Sequence, residues 1–318
     1  MISVIIVGRN DNYGGDFEGR LFDTTRYNLD ALATRGIAHE LIFVEWNPLP
    51  DRPLLSREVS ADFKLAHCIV VDGTVHRHVS RNRHIAVFEY HAKNVGARRA
   101  NGRWLLLTNP DNYFGRDVLD FLEQGAMDPD TLYRAGRVGI ANASGVDDPA
   151  CRDRYADEPP PFFSGSGDFI LCSKSLFDRV GGFREDLAFT NTHKDSVFCH
   201  AAYDLTGQAR KIGTTYHLHH NKDDDEKRRL QYDWRKVDRR PQASYGLSGG
   251  EVVEATTPGH TTLTLRASLL QEARGRRPPR PRVPRVYRPP GRLGILLEKL
   301  RHLVPWGTGR SRPGGPVN

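Results

Sequence analysis

The stretch GRWLLLTNPDNYF, residues 102–114, decides how this chain is read. Four apolar residues, Trp104 to Leu107, run straight into Thr108-Asn109-Pro110-Asp111-Asn112. A short continuous apolar run closed off by turn residues predicts a strand buried on both faces, as in a parallel sheet. Proline cannot extend the strand's hydrogen-bond ladder. Asp111 is therefore left at the strand's carboxyl end, the edge where open α/β sheets bind ligands. Two roles are open to it: an acid that holds a metal and a phosphate, or part of an Asx-Pro turn ahead of the helix near Arg116.

The neighbouring segments repeat the pattern. SVIIVG (3–8), ELIFVEW (40–46) and HCIVVDG (67–73) predict three more strands. Helices are predicted from Phe17 to near Gly36, over 84–100 and over 116–127. Strand and helix in alternation predict an α/β fold, a mostly parallel doubly wound sheet flanked by helices. In the second half, 131–141 reads as a strand and 147–161 as a polar, proline-ended loop. GDFILCSKSLFDRVGGF (167–183) reads as strand, short helix and glycine turn. SVFCHAAYDLTG (196–207) reads as a helix stopped by Gly207, and KIGTTYHLHH (211–220) as a strand ending in histidines. There is no internal repeat.

Composition narrows the function classes. The 318 residues suffice for one large α/β domain, and 38% of them are hydrophobic. Mean hydropathy is −0.56. The net charge of +7 is concentrated in the Arg/Pro-rich tail from Arg274 onward. The rest is close to neutral, which argues against a specific nucleic-acid partner. Cys68, Cys151, Cys172 and Cys199 form no Cys-x-x-Cys pair and read as reduced thiols. Neither a signal peptide nor a membrane span is evident, so a cytoplasmic location is expected. LGILLEKLRHLVPW (293–306) has apolar residues at helical spacing beside basic ones. A helix there, over about 291–306, would suit a protein contact or peripheral attachment at the inner membrane face.

The residues at the strand ends suggest a polar ligand. The first strand leads into Gly8, Arg9, Asn10 and Asp11, and the second ends in Glu45, Trp46 and Asn47. The third ends in Asp72-Gly73, and the fourth in Asn109-Pro110-Asp111. Glycine admits a ligand close to the backbone. Acids there can take ribose hydroxyls, a base edge or a cation.

SVIIVGRNDNYGG, HELIFVEWNPLPDRP and AKNVGARRANGRWLLLTNPDNYF together resemble a GT-A fold glycosyltransferase of the family 2 type. SGDFILCSKSLFDRVGGF resembles the acceptor-side segment of galactosyltransferase-like enzymes. The resemblance spans about residues 2–222. It implies a domain over 1–273, with a nucleotide-binding half (about 1–115) and an acceptor half (116–273), followed by the tail (274–318). The implied activity is inverting, metal-dependent transfer from a nucleotide-sugar donor, such as a UDP-sugar, to a glycan, lipid-linked or other hydroxyl acceptor, as in polysaccharide biosynthesis.

The resemblance also implies roles. Asp111 would be the carboxylate on a divalent cation, Mn²⁺ or Mg²⁺, with His217 and His220 completing the site. Gly8, Arg9, Asn10, Glu45, Asn47, Lys93 and Asn94 would line the nucleotide side, with Arg9 and Lys93 on phosphates. Asp168 would position the acceptor. A general base must take the acceptor hydroxyl's proton. Asp195 at a helix start fits that role, Asp186 being the alternative. Lys194 stands where an acid is usual, and Asn109 replaces the motif's other carboxylate. If the last strand persisted to residue 220, His217 and His219 would share a face and His220 would not. A sugar-nucleotide nucleotidyltransferase, or a degenerate GT-A domain used as a glycan-binding scaffold, are the alternatives.

Overall fold

The first strand shows why the sheet is buried on both sides. In the computed structural model, β1 (Ile2–Gly8) sends Ile5 and Val7 into one apolar cluster and Ile2, Val4 and Ile6 into another. Period-2 alternation puts successive side chains on opposite faces. A strand apolar at every position must therefore have cover on both. The chain continues through α1 (Phe17–Thr34), β2 (His39–Trp46), α2 (Leu55–Asp62), β3 (Ala66–Val71), α3 (Gly73–Val79), α4 (Glu89–Arg99) and β4 (Trp104–Thr108). Then come β5 (Asn112–Phe114), α5 (Arg116–Gln124), β6 (Leu132–Ile140), β7 (Phe169–Ser173), α6 (Lys174–Val180), α7 (Lys194–Thr206) and β8 (Ala209–Leu218). β9 (Val252–Thr257), β10 (His260–Leu265) and α8 (Ala267–Arg274) complete it. The structure describes residues 1–151, 153, 155–220, 232–274, 279, 282 and 284.

Among the described residues the strands form one ten-stranded sheet, in the order β5-β8-β6-β7-β4-β1-β2-β3-β10-β9. The run β4-β1-β2-β3-β10 is parallel, and β7 enters antiparallel beside β4. The result is the expected class, a mostly parallel mixed α/β sheet flanked by helices. α4 lies close enough over β1 and β2 that a Cβ at Gly96 would sit 2.8 Å from Ile5 Cγ2. Glycine permits that approach.

Several boundaries differ from expectation. Residues 84–88 precede the helix, because Glu89 opens α4. The third strand stops at Val71, since Asp72 caps α3 by accepting from the Thr74 N–H at 2.7 Å. The hairpin β9–β10 was not anticipated. It covers the free edge of β3, burying Leu263 and Leu265. Gly207 ends α7 in the left-handed region as expected. The four cysteines are free thiols, and burial pushes Cys68 and Cys199 up to about 12.

The described residues fall into two units: residues 232–237 and 284 belong to the smaller, which has a 3-10 turn over Trp234–Lys236, and the rest to the larger. Among the described residues no helix is long and apolar enough to cross a membrane. The expected 291–306 helix lies outside the described residues.

Candidate cation and nucleotide site

Proline 110 ends β4, and the chain turns back at once as β5. β5 pairs antiparallel with β8, which sets Asn112 opposite His217. Sheet register therefore brings Asp111 beside a histidine 106 positions later in the chain. β8 ends at Leu218, whose N–H donates to the Asp111 carbonyl at 2.8 Å. That bond, and a second from the His219 N–H to the Ile140 carbonyl at 2.9 Å, hold the end of β8 between β5 and β6. His220 reaches the same side as His217, with ring centroids 5.5 Å apart. Strand alternation would instead have paired His217 with His219, which is exposed beside Gly139.

Asp111, His217 and His220 each bring one donor atom to within 4.8 Å of the others. They stand in a cleft of about 840 Å³ at the carboxyl ends of β1 and β4. Asp111 Oδ2 lies 3.2 Å from His220 Nε2, and Oδ1 lies 3.4 Å from His217 Nδ1. Burial alone would raise the Asp111 pKa, but the two imidazoles outweigh it and hold the carboxyl well below its usual range. Both oxygens are buried, and the donors facing them are the two imidazoles. A carboxylate facing two imidazoles is also a donor set that a divalent cation fits, Mn²⁺ better than Mg²⁺. The residues present therefore fit a resident cation.

A polar network backs this cluster. Lys93 is 1% exposed and its Nζ donates to Glu89 Oε1 (2.7 Å), Asn109 Oδ1 (2.8 Å) and the Gly167 carbonyl (2.8 Å). Asn109 Nδ2 donates to Asp168 Oδ1 at 3.0 Å. Asp168 also takes Arg137 Nε and lies 3.8 Å from His217 Nδ1.

Gly8, Arg9 and Asp111 line the cleft as expected, with His217 and His220. Arg9 is steered there by bonds from Nε to the Asn47 carbonyl (2.6 Å) and from Nη1 to Asp11 (2.8 Å). The other expected contacts are not cleft-lining. Asn10 is buried, bonding Leu49, Arg52 and Pro53, and so shapes the loop after β2. Glu45 is fully buried and accepts from the Leu55 and Ser56 N–H groups, so it caps α2 instead of meeting a ribose. Asn47 sits at φ 53° and holds the Ala86 carbonyl. Lys93 has all three protons engaged inside the protein, which leaves none for a phosphate. Asn94 holds the Phe183 backbone and Glu185. Asp168 is buried, with its carboxylate on Asn109 and Arg137.

On the acceptor side, Asp195 lies in the first turn of α7 and bonds the Tyr90 hydroxyl, one layer behind the cleft wall. It is not the helix N-cap; His193 holds that place. Lys194 does not stand beside it. Its side chain is fully buried with Nζ 3.2 Å from His91 Nδ1. Asp186 is exposed and paired with Arg184 at 2.7 Å. The carboxylate that faces the cleft is Glu89, with 30% of its side chain exposed. Burial raises its pKa, Lys93 lowers it, and Asp195 and Asp168 raise it again; the balance is above the usual range. Sequence reading missed Glu89, Arg137 and Tyr13. Glu89 opens the helix ahead of Lys93, a usable signal; Arg137 lies within a strand with none.

Fold and site together define an α/β chain with a carboxylate–imidazole cation cleft at the carboxyl edge of its parallel strands. No family model and no curated protein matches the sequence. The structure is similar to the catalytic domain of Drosophila beta1,4-galactosyltransferase 7, solved as a complex with xylobiose. Identity is 13% and the TM-score 0.46, covering 85% of this chain and 96% of that one. It is also similar to GalNAc-T7, solved with UDP, GalNAc and Mn²⁺, at 10% identity and a TM-score of 0.49. That match covers 70% of this chain and 44% of the other. A mycobacterial protein is similar at 14% identity and a TM-score of 0.41, covering 69% and 67%.

Proposed function

We propose that the chain is a metal-assisted glycosyltransferase that moves a sugar from a nucleotide-sugar donor to a hydroxyl acceptor with inversion. The observation that carries this reading is the buried Asp111 carboxylate, held in the cleft between His217 on one oxygen and His220 on the other. The strand-end motif supports it: Asp111 follows an apolar strand and the Ala92–Gly102 pattern that resembles the family. Asp111, His217 and His220 would hold the cation, which when bound supplies positive charge against a departing diphosphate.

The chain's own residues do the rest. Gly8 lets the Phe43 and Phe17 rings pack against the end of β1, and Arg9, fixed by Asn47 and Asp11, sets a guanidinium in the cleft wall. Glu89 Oε1 is tied to Lys93, which aims the carboxylate at the cleft. Burial raises its pKa, which makes the carboxylate a stronger base than a solvated one. We assign the acceptor hydroxyl's proton to Glu89. Asp195 acts through its charge on Glu89 and its bond to Tyr90. The acceptor is a glycan, lipid-linked or other hydroxyl compound.

Calorimetric titration with UDP, GDP and dTDP, with and without Mn²⁺, tests the reading. Metal-dependent binding of one nucleotide is expected, and its loss in Asp111→Ala. Equal metal-dependent binding in a folded Asp111→Ala protein would remove the assignment. Release of nucleoside diphosphate on turnover is the expected product; pyrophosphate would indicate nucleotidyl transfer instead.

A further inference from the structure

Resting on that reading of the cation site, the structure accounts for the motif's missing acid. Asn109 stands where a second carboxylate is usual. Its amide is oriented by its neighbours: Lys93 Nζ can only donate, so Oδ1 faces it, at 2.8 Å. Nδ2 must then point the other way, and it meets Asp168 Oδ1 at 3.0 Å. An aspartate at 109 has no proton to give there. Two further side chains of the same turn hold the Asp168 carbonyl: Thr108 Oγ1 at 2.8 Å and Asn112 Nδ2 at 3.1 Å. Three side chains from the strand end thus converge on one residue of a distant segment.

That residue is 7% exposed, and its Oδ2 lies 3.8 Å from His217 Nδ1. We propose that Asp168 is the second carboxylate of the cation site, delivered from another part of the chain and aimed by Asn109. It stands beside the three clustered ligands and is not one of them: Asn112 Oδ1 holds the His217 ring at 3.1 Å, and Asp168, at 3.8 Å from the same nitrogen, adds negative charge next to the site. Arg137 offsets part of that charge. The consequence runs against the motif: restoring the usual acid with Asn109→Asp removes the donor that holds Asp168 Oδ1 at 3.0 Å and leaves two acceptors facing each other.

The test is Mn²⁺ binding to the full chain without nucleotide, followed by loss of the free-ion electron paramagnetic resonance signal. Asp111→Asn is the control and is expected to abolish binding. Asp168→Asn and Asn109→Asp are each expected to weaken it about 10- to 100-fold, with thermal unfolding confirming a folded protein. The swap Asn109→Asp with Asp168→Asn restores a donor–acceptor pair and is expected to bind more tightly than Asp168→Asn alone. If Asp168→Asn fails to fold, Asn109→Asp and Asn109→Ala carry the test. Wild-type affinity in Asn109→Asp or Asp168→Asn, with Asp111→Asn defective, overturns the proposal and leaves the cation site standing. Equal Mn²⁺ binding by wild type and Asp111→Asn overturns the cation site, and the proposal with it.

Discussion

In the proposed reaction Glu89 takes the acceptor hydroxyl's proton. It must be ionised to take a proton, so transfer is expected to fall as pH drops through its raised pKa. The Asp195 charge is one of the causes that hold that value up. Asp195→Asn should therefore lower the Glu89 pKa and move the acid limb of kcat/KM to lower pH. An acid limb that stays in place would separate Asp195 from Glu89. Glu89→Gln is expected to reduce kcat by about 10²-fold or more while nucleotide affinity is kept; wild-type turnover would end the assignment. The sequence marks Glu89 as an acid at a helix start, four residues before Lys93, and does not show that it faces the cleft. A lone acid at a helix start reads as a favourable partner for the helix dipole. Only the packing of α4 under the Asp111 turn makes it a cleft residue.

Among the secondary-structure elements, the strand ends behaved unevenly. All four carried the expected polar residues, yet Asp72 and Glu45 cap helices. The reason is that a βα loop offers two takers for an acid at the same place, a ligand and the unbonded N–H groups of the next helix. Which one wins depends on loop length and direction. Glu45 bonds two N–H groups of α2 from inside the core, so Glu45→Ala leaves both unpaired there. A stability loss of about 1–3 kcal/mol is expected, read by urea unfolding, with nucleotide affinity unchanged in the folded protein. A selective loss of nucleotide affinity at wild-type stability would return Glu45 to the site. The end of β8 is the opposite case. Its sequence reads as a strand through three histidines, but the strand ends at Leu218 and His220, two residues beyond it, meets Asp111.

Across the whole molecule, buried charge couples the fold to pH. Lys194 is fully buried between α7 and α4, beside His91 and over the Phe88 ring, and burial lowers its pKa to about 7. An unfolded lysine titrates near ~10.4. Between these values the unfolded chain holds the proton more strongly, so this residue's contribution to stability rises with pH across that window. Lys194→Met is expected to gain stability relative to wild type below about pH 7, and the advantage should shrink as pH rises towards ~10. Parallel unfolding curves for the two proteins at every pH would show that Lys194 is charged in the folded state.

Local sequence suffices for the alternation of strand and helix, the two-sided burial of β1 and β4, and the place of Asp111 at a strand end. Apolar period, turn residues and propensity act within a few positions, so a linear reading captures them. Which polar residues share a site is instead a matter of tertiary packing. Asp111 meets His217 because β5 and β8 pair in one register, and His220 joins them because β8 stops two residues short of it. Asp168 reaches the same place because Asn109 has a proton to donate and an aspartate does not. Hydrogen-bond directionality between distant segments sets that geometry, and a linear pattern of residue types does not encode it.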